Sequence, residues 1–388
     1  MPLASLHSPP PIRKKTLAHK PDYEVLDTAI SLFGEGRFVE SLQKTLEHLF
    51  AHREVPDLAA STFTFPQGSS RVTVKLEDQV LSVIIPLVRL APESNATAAL
   101  RFLLTKISGT GQLHQPRLRG DEVYLEFRDR LSRLHPTKVV EVLRRMPVEA
   151  DANDDWMVDQ FGAAPLGRET IAPLDGGELG RAETMWRSHW REVEELLKES
   201  QRKRSMFFLN EVSGYATHHI RYALPVGGFL STRIAEAAAT FDDNEEDPMK
   251  RETALAKCAK EMLAVTREDL AKNLGHAEYS ISPLSDGSVE QLESYLGGGD
   301  YADAVARTRS AGKFMDAALA LVSTYSYLLS RFSWAPAIEA SLLEGLGASS
   351  DKPWREAARV LTNHGRALVE LAGKESESAS TEAAEEAS

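Results

Sequence analysis

Between Phe63 and Phe127 the hydrophobic residues of this chain recur with a period of two, and the second half carries no comparable block. Val72, Val74 and Leu76 alternate with Arg71, Thr73, Lys75 and Glu77, the pattern of a strand with one buried face. Val80 to Ile85 is almost continuously apolar, which suits a strand covered on both faces. Phe63 and Phe65 alternate ahead of Pro66, with turns at Gln67-Gly68-Ser69-Ser70 and at Glu77-Asp78-Gln79. Pro86 should mark an edge, a bulge or a strand end. Leu113–Leu118 and Glu122–Phe127 make a further hairpin across Arg119-Gly120-Asp121, with Val123, Leu125 and Phe127 on one side. A chain with this block must build an antiparallel sheet and cover it.

The cover is written on either side as helical spacing. Leu26, Ala29, Ile30 and Phe33 share one face, and Phe38, Leu42, Leu46, Leu49 and Phe50 share another, with Gly34 and Gly36 between them. Pro56 closes this stretch. Ala96–Ile107 reads as a helix with Asn95 as its N-cap, and Pro136–Met146 as another, with Val139, Val140, Leu143 and Met146 inward. The order is a split helix, three strands, a helix, two strands and a helix.

That order, with FLLTKIS on the middle helix and DEVYLEFRDRL on the last strand, resembles the class I type III secretion chaperone-like fold. The YbjN-type bacterial domains look similar. The likeness covers residues 22–150, a third of the chain. It implies a cytoplasmic, often dimeric domain whose apolar sheet and helix surfaces hold a partner chain. Type III chaperones are small and single-domain, whereas this chain continues for more than 200 residues.

Residues 147–180 are rich in Pro, Gly and Asp, so a linker is expected over 151–177. Beyond it everything reads as helix, and 178–374 is assigned to a mostly α-helical C-terminal domain. A long helix is expected from Glu178 to Val212, with Trp186, Trp190, Val193 and Leu197 spaced 4-3-4. This stripe fits a helical core and also fits self-association. Further helices are expected over Leu230–Thr240, Met249–Leu274, Val289–Leu296, Tyr301–Phe332, Ala337–Leu346 and Trp354–Leu371. Residues 29–45 and 292–308 align without gaps, matching Gly34 to Gly297, Gly36 to Gly299 and Phe38 to Tyr301. Two copies do not make a repeat array, and shared turn chemistry is the modest reading.

Charge narrows the function. Of the net −12, residues 1–20 carry +4 through Arg13, Lys14, Lys15 and Lys20, and 375–388 carry −5, which leaves −11 on the body. Such acidity argues against a general nucleic-acid coat. The basic run Lys198, Arg202, Lys203 and Arg204 is offset by Glu192, Glu194, Glu195 and Glu199 and reads as a salt-bridged helix end. The leader 1–21 and the Ser/Ala/Glu tail 375–388 read as disordered. One cysteine rules out a disulfide scaffold, and no run approaches the ~20 apolar residues of a membrane span. A cytoplasmic protein without membrane insertion or nucleic-acid binding is expected.

Catalytic motifs do not emerge: HExxH, GxxxxGK[ST], CxxC and GxSxG are all lacking. Ser108-Gly109-Thr110-Gly111 lies between a helix and a strand, the reverse of a phosphate cradle's order. Cys258 sits in a helical context as a small buried residue. The acidic connector Asp242, Asp243, Glu245, Glu246, Asp247 lacks calcium-loop spacing. His218 and His219 point about 100° apart on a helix and cannot chelate one ion together. Tyr215, His219 and Tyr222 share a face that could line a pocket. No catalytic, cofactor or metal residue is therefore assigned. The expectation is a non-enzymatic, chaperone-like or adaptor protein that holds an unknown protein partner, with contact residues Ile84, Val88, Tyr124, Trp186 and Trp190. The alternative is a structural subunit of a larger assembly, self-associating through its helical half.

Overall fold

The computed structural model describes residues 3–12, 22–50, 58, 61–106, 113–243 and 246–386, with side chains to 374. The features expected at Arg13, Lys14, Lys15, Lys20, Pro56, Ile107, Ser108–Gly111 and Glu245 lie outside the described residues.

The first lobe is α+β. Helices α1 (Tyr23–Gly34) and α2 (Phe38–Leu49) are followed by strands β1 (Thr62–Gly68), β2 (Ser70–Glu77) and β3 (Val80–Arg89). Then come α3 (Ala96–Lys106), β4 (Gln115–Arg119), β5 (Glu122–Arg130), α4 (Pro136–Phe161) and β6 (Ala164–Pro165). Asn95 Oδ1 accepts the Ala98 N–H at 3.2 Å, the expected cap. Strand β3 runs on through Pro86, with a register shift between Pro86 and Val88 against β5, so the proline sits at a bulge.

The second lobe is helical. It contains β7 (Ala172–Pro173), α5 (Gly176–Lys203), α6 (Met206–Gly214), α7 (Ile220–Ala223), α8 (Gly228–Asp242), α9 (Pro248–Ala264) and α10 (Arg267–Asn273). It continues with β8 (Gly275–His276), β9 (Glu278–Tyr279), β10 (Ser285–Asp286), α11 (Val289–Leu292), α12 (Asp300–Ser310), α13 (Phe314–Arg331), β11 (Phe332–Ser333), α14 (Pro336–Ser349) and α15 (Trp354–Glu386). A π-helical turn over Tyr215–His219 joins α6 to α7. The single helix expected over 178–212 breaks at Arg204, whose φ of 52° ends α5, and Ser205 caps α6 through the Phe208 N–H. The expected Met249–Leu274 helix divides where Thr266 and Asp269 form a capping box for α10.

The sheet is ordered β4-β5-β3-β2-β1-β9, with every pairing antiparallel, and β6 adds to the end of β3 on the edge opposite β5. One face buries Val72, Val74, Leu81, Val83, Ile85, Val123, Leu125 and Phe127 beneath α2, α3 and α4. The alternation read from the sequence is the alternation of this face.

Three boundaries differ from expectation. Residues 151–161, assigned to a linker, are the last turns of α4, because Pro147 stays within the helix and Ala150 and Met157 extend the same buried face. Residues 3–12, assigned to a disordered leader, lie on the helical lobe, with Leu6 and Ile12 buried in its core. Trp354 Nε1 donates to the Leu3 carbonyl at 2.9 Å, and the Ile12 N–H donates to the Ala223 carbonyl at 2.7 Å. The segment assigned to an acidic tail continues α15 as far as Glu386.

The lobes are interleaved. Strand β9 extends the first lobe's sheet, and Ile281 belongs to that lobe's core. Helix α4 packs against α8, where Trp156 stacks on Phe229 with ring centroids 5.7 Å apart. The Thr232 hydroxyl donates to the Ala152 carbonyl at 2.8 Å.

Candidate functional site

Where the lobes meet, a cleft of about 510 Å³ opens between the β1–β2 turn, α4, α7, the start of α8 and the 272–284 segment. Its chemistry begins with helix spacing. Asp151, Asp154 and Asp155 stand at i, i+3 and i+4 on α4, so all three carboxyls reach the same side. Gly68, at φ +67°, lets the β1–β2 turn settle on them: a Cβ there would lie 2.8 Å from Asp151 Oδ1. The Ser69 N–H donates to Asp151 Oδ1 at 2.7 Å, and its hydroxyl donates to Asp154 Oδ2 at 2.9 Å. Arg168 lies 3.1 Å from Asp154 Oδ1 and 2.5 Å from Asp155 Oδ1.

One guanidinium among three carboxyls leaves an excess of negative charge in a buried place. Burial pushes the Asp154 carboxyl up to about 8, against the pull of Arg168 and with added repulsion from Asp155 and Asp151. Burial also raises Asp151, opposed by the Ser69 hydrogen bonds. Asp154 does not line the cleft, whereas Asp151 and Asp155 do. Glu169, also in the lining, is tied to Arg71 at 2.6 Å.

The lining also holds basic residues. Arg221 on α7 and Lys272 at the end of α10 line the cleft with Leu224, Pro225, Leu329 and Ser330. The Arg221 guanidinium is desolvated, which lowers its pKa, and the neighbouring charge that Arg331 contributes lowers it further. Next to it, burial drives His218 down to about 3, helped by Arg221 and Arg331, and His218 Nδ1 lies 2.9 Å from the Ser330 hydroxyl.

Of the residues assigned from the sequence, none lines this cleft. Trp186 and Trp190 are fully enclosed in the helical core, with Trp186 Nε1 donating to the Met262 carbonyl at 2.8 Å. They are core residues and offer no contact surface, because the 4-3-4 face packs within its own lobe. Val88 is likewise fully buried, since β6 and β5 flank it. Ile84 and Tyr124 are half-buried on the outer sheet face. The cross-strand neighbours of Ile84 are Thr73 and Glu126, so that face is mixed in polarity. Tyr215, His219 and Tyr222 do come together, with His219 4.8 Å from Tyr215 and 5.0 Å from Tyr222 between ring centroids. They form a buried aromatic cluster with His189 and line no part of the cleft.

The residues that sequence reasoning missed are Asp151, Arg168 and Arg221. The carboxyl spacing over 151–155 was a readable helical signal, masked by the proline and glycine around it. Arg221 carried no signal, since only the fold shows what faces it. No protein-family model and no curated protein matches this chain. Among the described residues no group of acidic, histidine or cysteine side chains is arranged to hold a metal, and no helix is long and apolar enough to cross a membrane.

Proposed function

We propose that this chain is a non-enzymatic binding protein that holds a ligand between its two lobes. The observation that carries this reading is the cleft itself. Its volume of about 510 Å³ lies within the range of small-molecule sites, and its lining sets apolar Leu224, Pro225 and Leu329 among polar groups. Binding is favoured over catalysis by the state of its groups. Asp154, pushed up to about 8, stands behind the lining; Asp151, also raised by burial, is held by the Ser69 N–H, and Asp155 and Glu169 are held by arginines. The Cys258 thiol is pushed up to about 12 by burial, so it supplies no thiolate. A fragment collection screened by amide chemical shifts tests the reading. Fragments are expected to move the Gly227, Gly228 and Gly275 amides, and shifts confined to other surfaces would overturn it.

A second reading keeps the protein partner expected from the sequence, held as an added strand. Its support is the edge strand β4, whose outer side pairs with no described strand and which exposes Leu118 at 52%. Comparing Leu118→Lys with the unaltered chain in affinity purification tests it. A partner recovered equally by both excludes this edge.

A further inference from the structure

We infer that Arg221 anchors the charged end of a small organic anion, a carboxylate or a phosphate monoester, in the inter-lobe cleft; this rests on reading the cleft as a ligand site. The argument is a census of charge around one cavity. Among the described residues, the acids in the lining are already engaged: Asp155 by Arg168, Glu169 by Arg71, and Asp151 by the Ser69 N–H. Glu278 also has a partner. The arginines that serve them are matched in turn. Arg221 is different. It lines the cavity, partly buried there, and no described carboxylate pairs with it; the charge acting on it comes from another cation, Arg331. Lys272, in the same lining, is exposed and acts on Asp269 of its own helix.

A partly buried guanidinium facing a like charge is costly to keep unless something supplies the opposite charge. Arginine suits an oxyanion because its planar fork donates two parallel hydrogen bonds to carboxylate or phosphate. The surroundings define the remainder of the ligand. Leu224, Pro225, Leu284 and Leu329 offer apolar surface to the same cavity, and the Ser330 hydroxyl in its lining is already engaged by His218 and the Tyr327 carbonyl. Asp151 and Asp155, also in the lining, disfavour a second negative group beside them. The start of α8 does not compete for the anion, because Asn273 Oδ1 already accepts the Leu230 N–H at 3.3 Å and Asp155 stands close to Gly228. The ligand is thus a compact body with one anionic end.

The test uses the full chain and its Arg221→Gln and Arg221→Met variants, with thermal unfolding and calorimetry at matched ionic strength. The probes are benzoate, glycerol phosphate and the uncharged benzamide. Benzoate or glycerol phosphate is expected to raise the Tm of the unaltered chain, and whichever does so identifies the oxyanion. Both variants should bind that probe at least tenfold more weakly. Both should also unfold at a Tm equal to or above the parent's without ligand, since an uncompensated charge has been removed. Equal binding by parent and variants, or neither anion binding, overturns the anion site. Benzamide moving the Gly227 and Gly228 amides while neither anion binds would overturn the anion class and leave the cleft standing as a ligand site. No probe reaching those amides would remove both readings.

Discussion

The side-chain amide of Gln67, on β1, is paired in both directions with the backbone of Ile281, 214 residues later. Its Nε2 donates to the Ile281 carbonyl at 2.7 Å, and its Oε1 accepts the Ile281 N–H at 3.0 Å. Both residues are buried, so one glutamine acts as a strand partner where β9 leaves the sheet. Gln67→Leu strands a buried donor and acceptor together. It is expected to cost about 2–4 kcal/mol by the usual penalty for unmade buried hydrogen bonds. Hydrogen exchange at the Ile281 amide checks it, and unchanged protection there would contradict the role given to Gln67.

Stability should fall as pH rises from about 6.5 to about 8. Burial raises Asp154 to about 8 and Glu192 and Glu211 to about 7, so the folded state retains protons that the unfolded chain has released. The stability these groups give is complete below the ordinary carboxylate range and is lost as pH climbs through the folded values. Burial lowers His189 to about 4 and His218 to about 3, which acts in the opposite sense. That contribution is complete above the ordinary histidine pKa of about 6.5. As pH passes beyond it the histidine contribution fades and the raised carboxyls set the slope. Urea midpoints at the two pH values read the slope, and Asp154→Asn should make it shallower. A flat profile in the unaltered chain would exclude the buried neutral carboxyls.

The amino-terminal segment 3–12 should behave as part of the helical lobe. The Asp351 N–H donates to the Leu6 carbonyl at 2.8 Å, and the His7 N–H donates to Glu192 Oε1 at 3.2 Å. Tyr215 completes that carboxyl's shell at 2.5 Å. Leu6→Ala is expected to cost about 2–3 kcal/mol as a buried truncation. Denaturant unfolding of the full chain measures it, and a change below about 0.5 kcal/mol, the range of exposed positions, would show the segment is not seated.

Gly287 lies against the ring of Trp334, where an added Cβ would stand 2.4 Å from ring carbon Cε3. The indole cannot step aside without losing the bond from its Nε1 to the Leu328 carbonyl at 2.9 Å. Gly287→Ala should therefore cost about 1–3 kcal/mol, as overpacking does. A shift in tryptophan emission should accompany it, and an unchanged spectrum and Tm would refute the close approach.

Much of the first lobe was legible because its signals are local. The β2 alternation, the Asn95 cap and the bulge at Pro86 each follow from residues within a few positions of one another. The paired segments 29–45 and 292–308 show where local reading stops. Both fold as helical hairpins, with Phe33 against Phe38 at 5.3 Å and Tyr295 against Tyr301 at 6.1 Å between ring centroids. Their matched glycines differ in purpose. Gly36 is needed for its φ of +78°, whereas Gly299 makes room for the Ser294 carbonyl, 2.4 Å from where a Cβ would stand.

By itself the sequence determined the strands and helices of the first lobe as far as residue 150, the helical character of the second, and the apolar face of β2 and β5, since period and capping are properties of neighbouring residues. Only the tertiary structure decided that residues 3–12 and Ile281 belong to the cores of the opposite lobes, that the Trp186/Trp190 face is internal, and that Arg221 lines a cleft with no carboxylate partner among the described residues. The physical reason is that the energy of a charge or an amide depends on what lies across from it and how far water is excluded. Those partners come from chain positions that no local pattern connects.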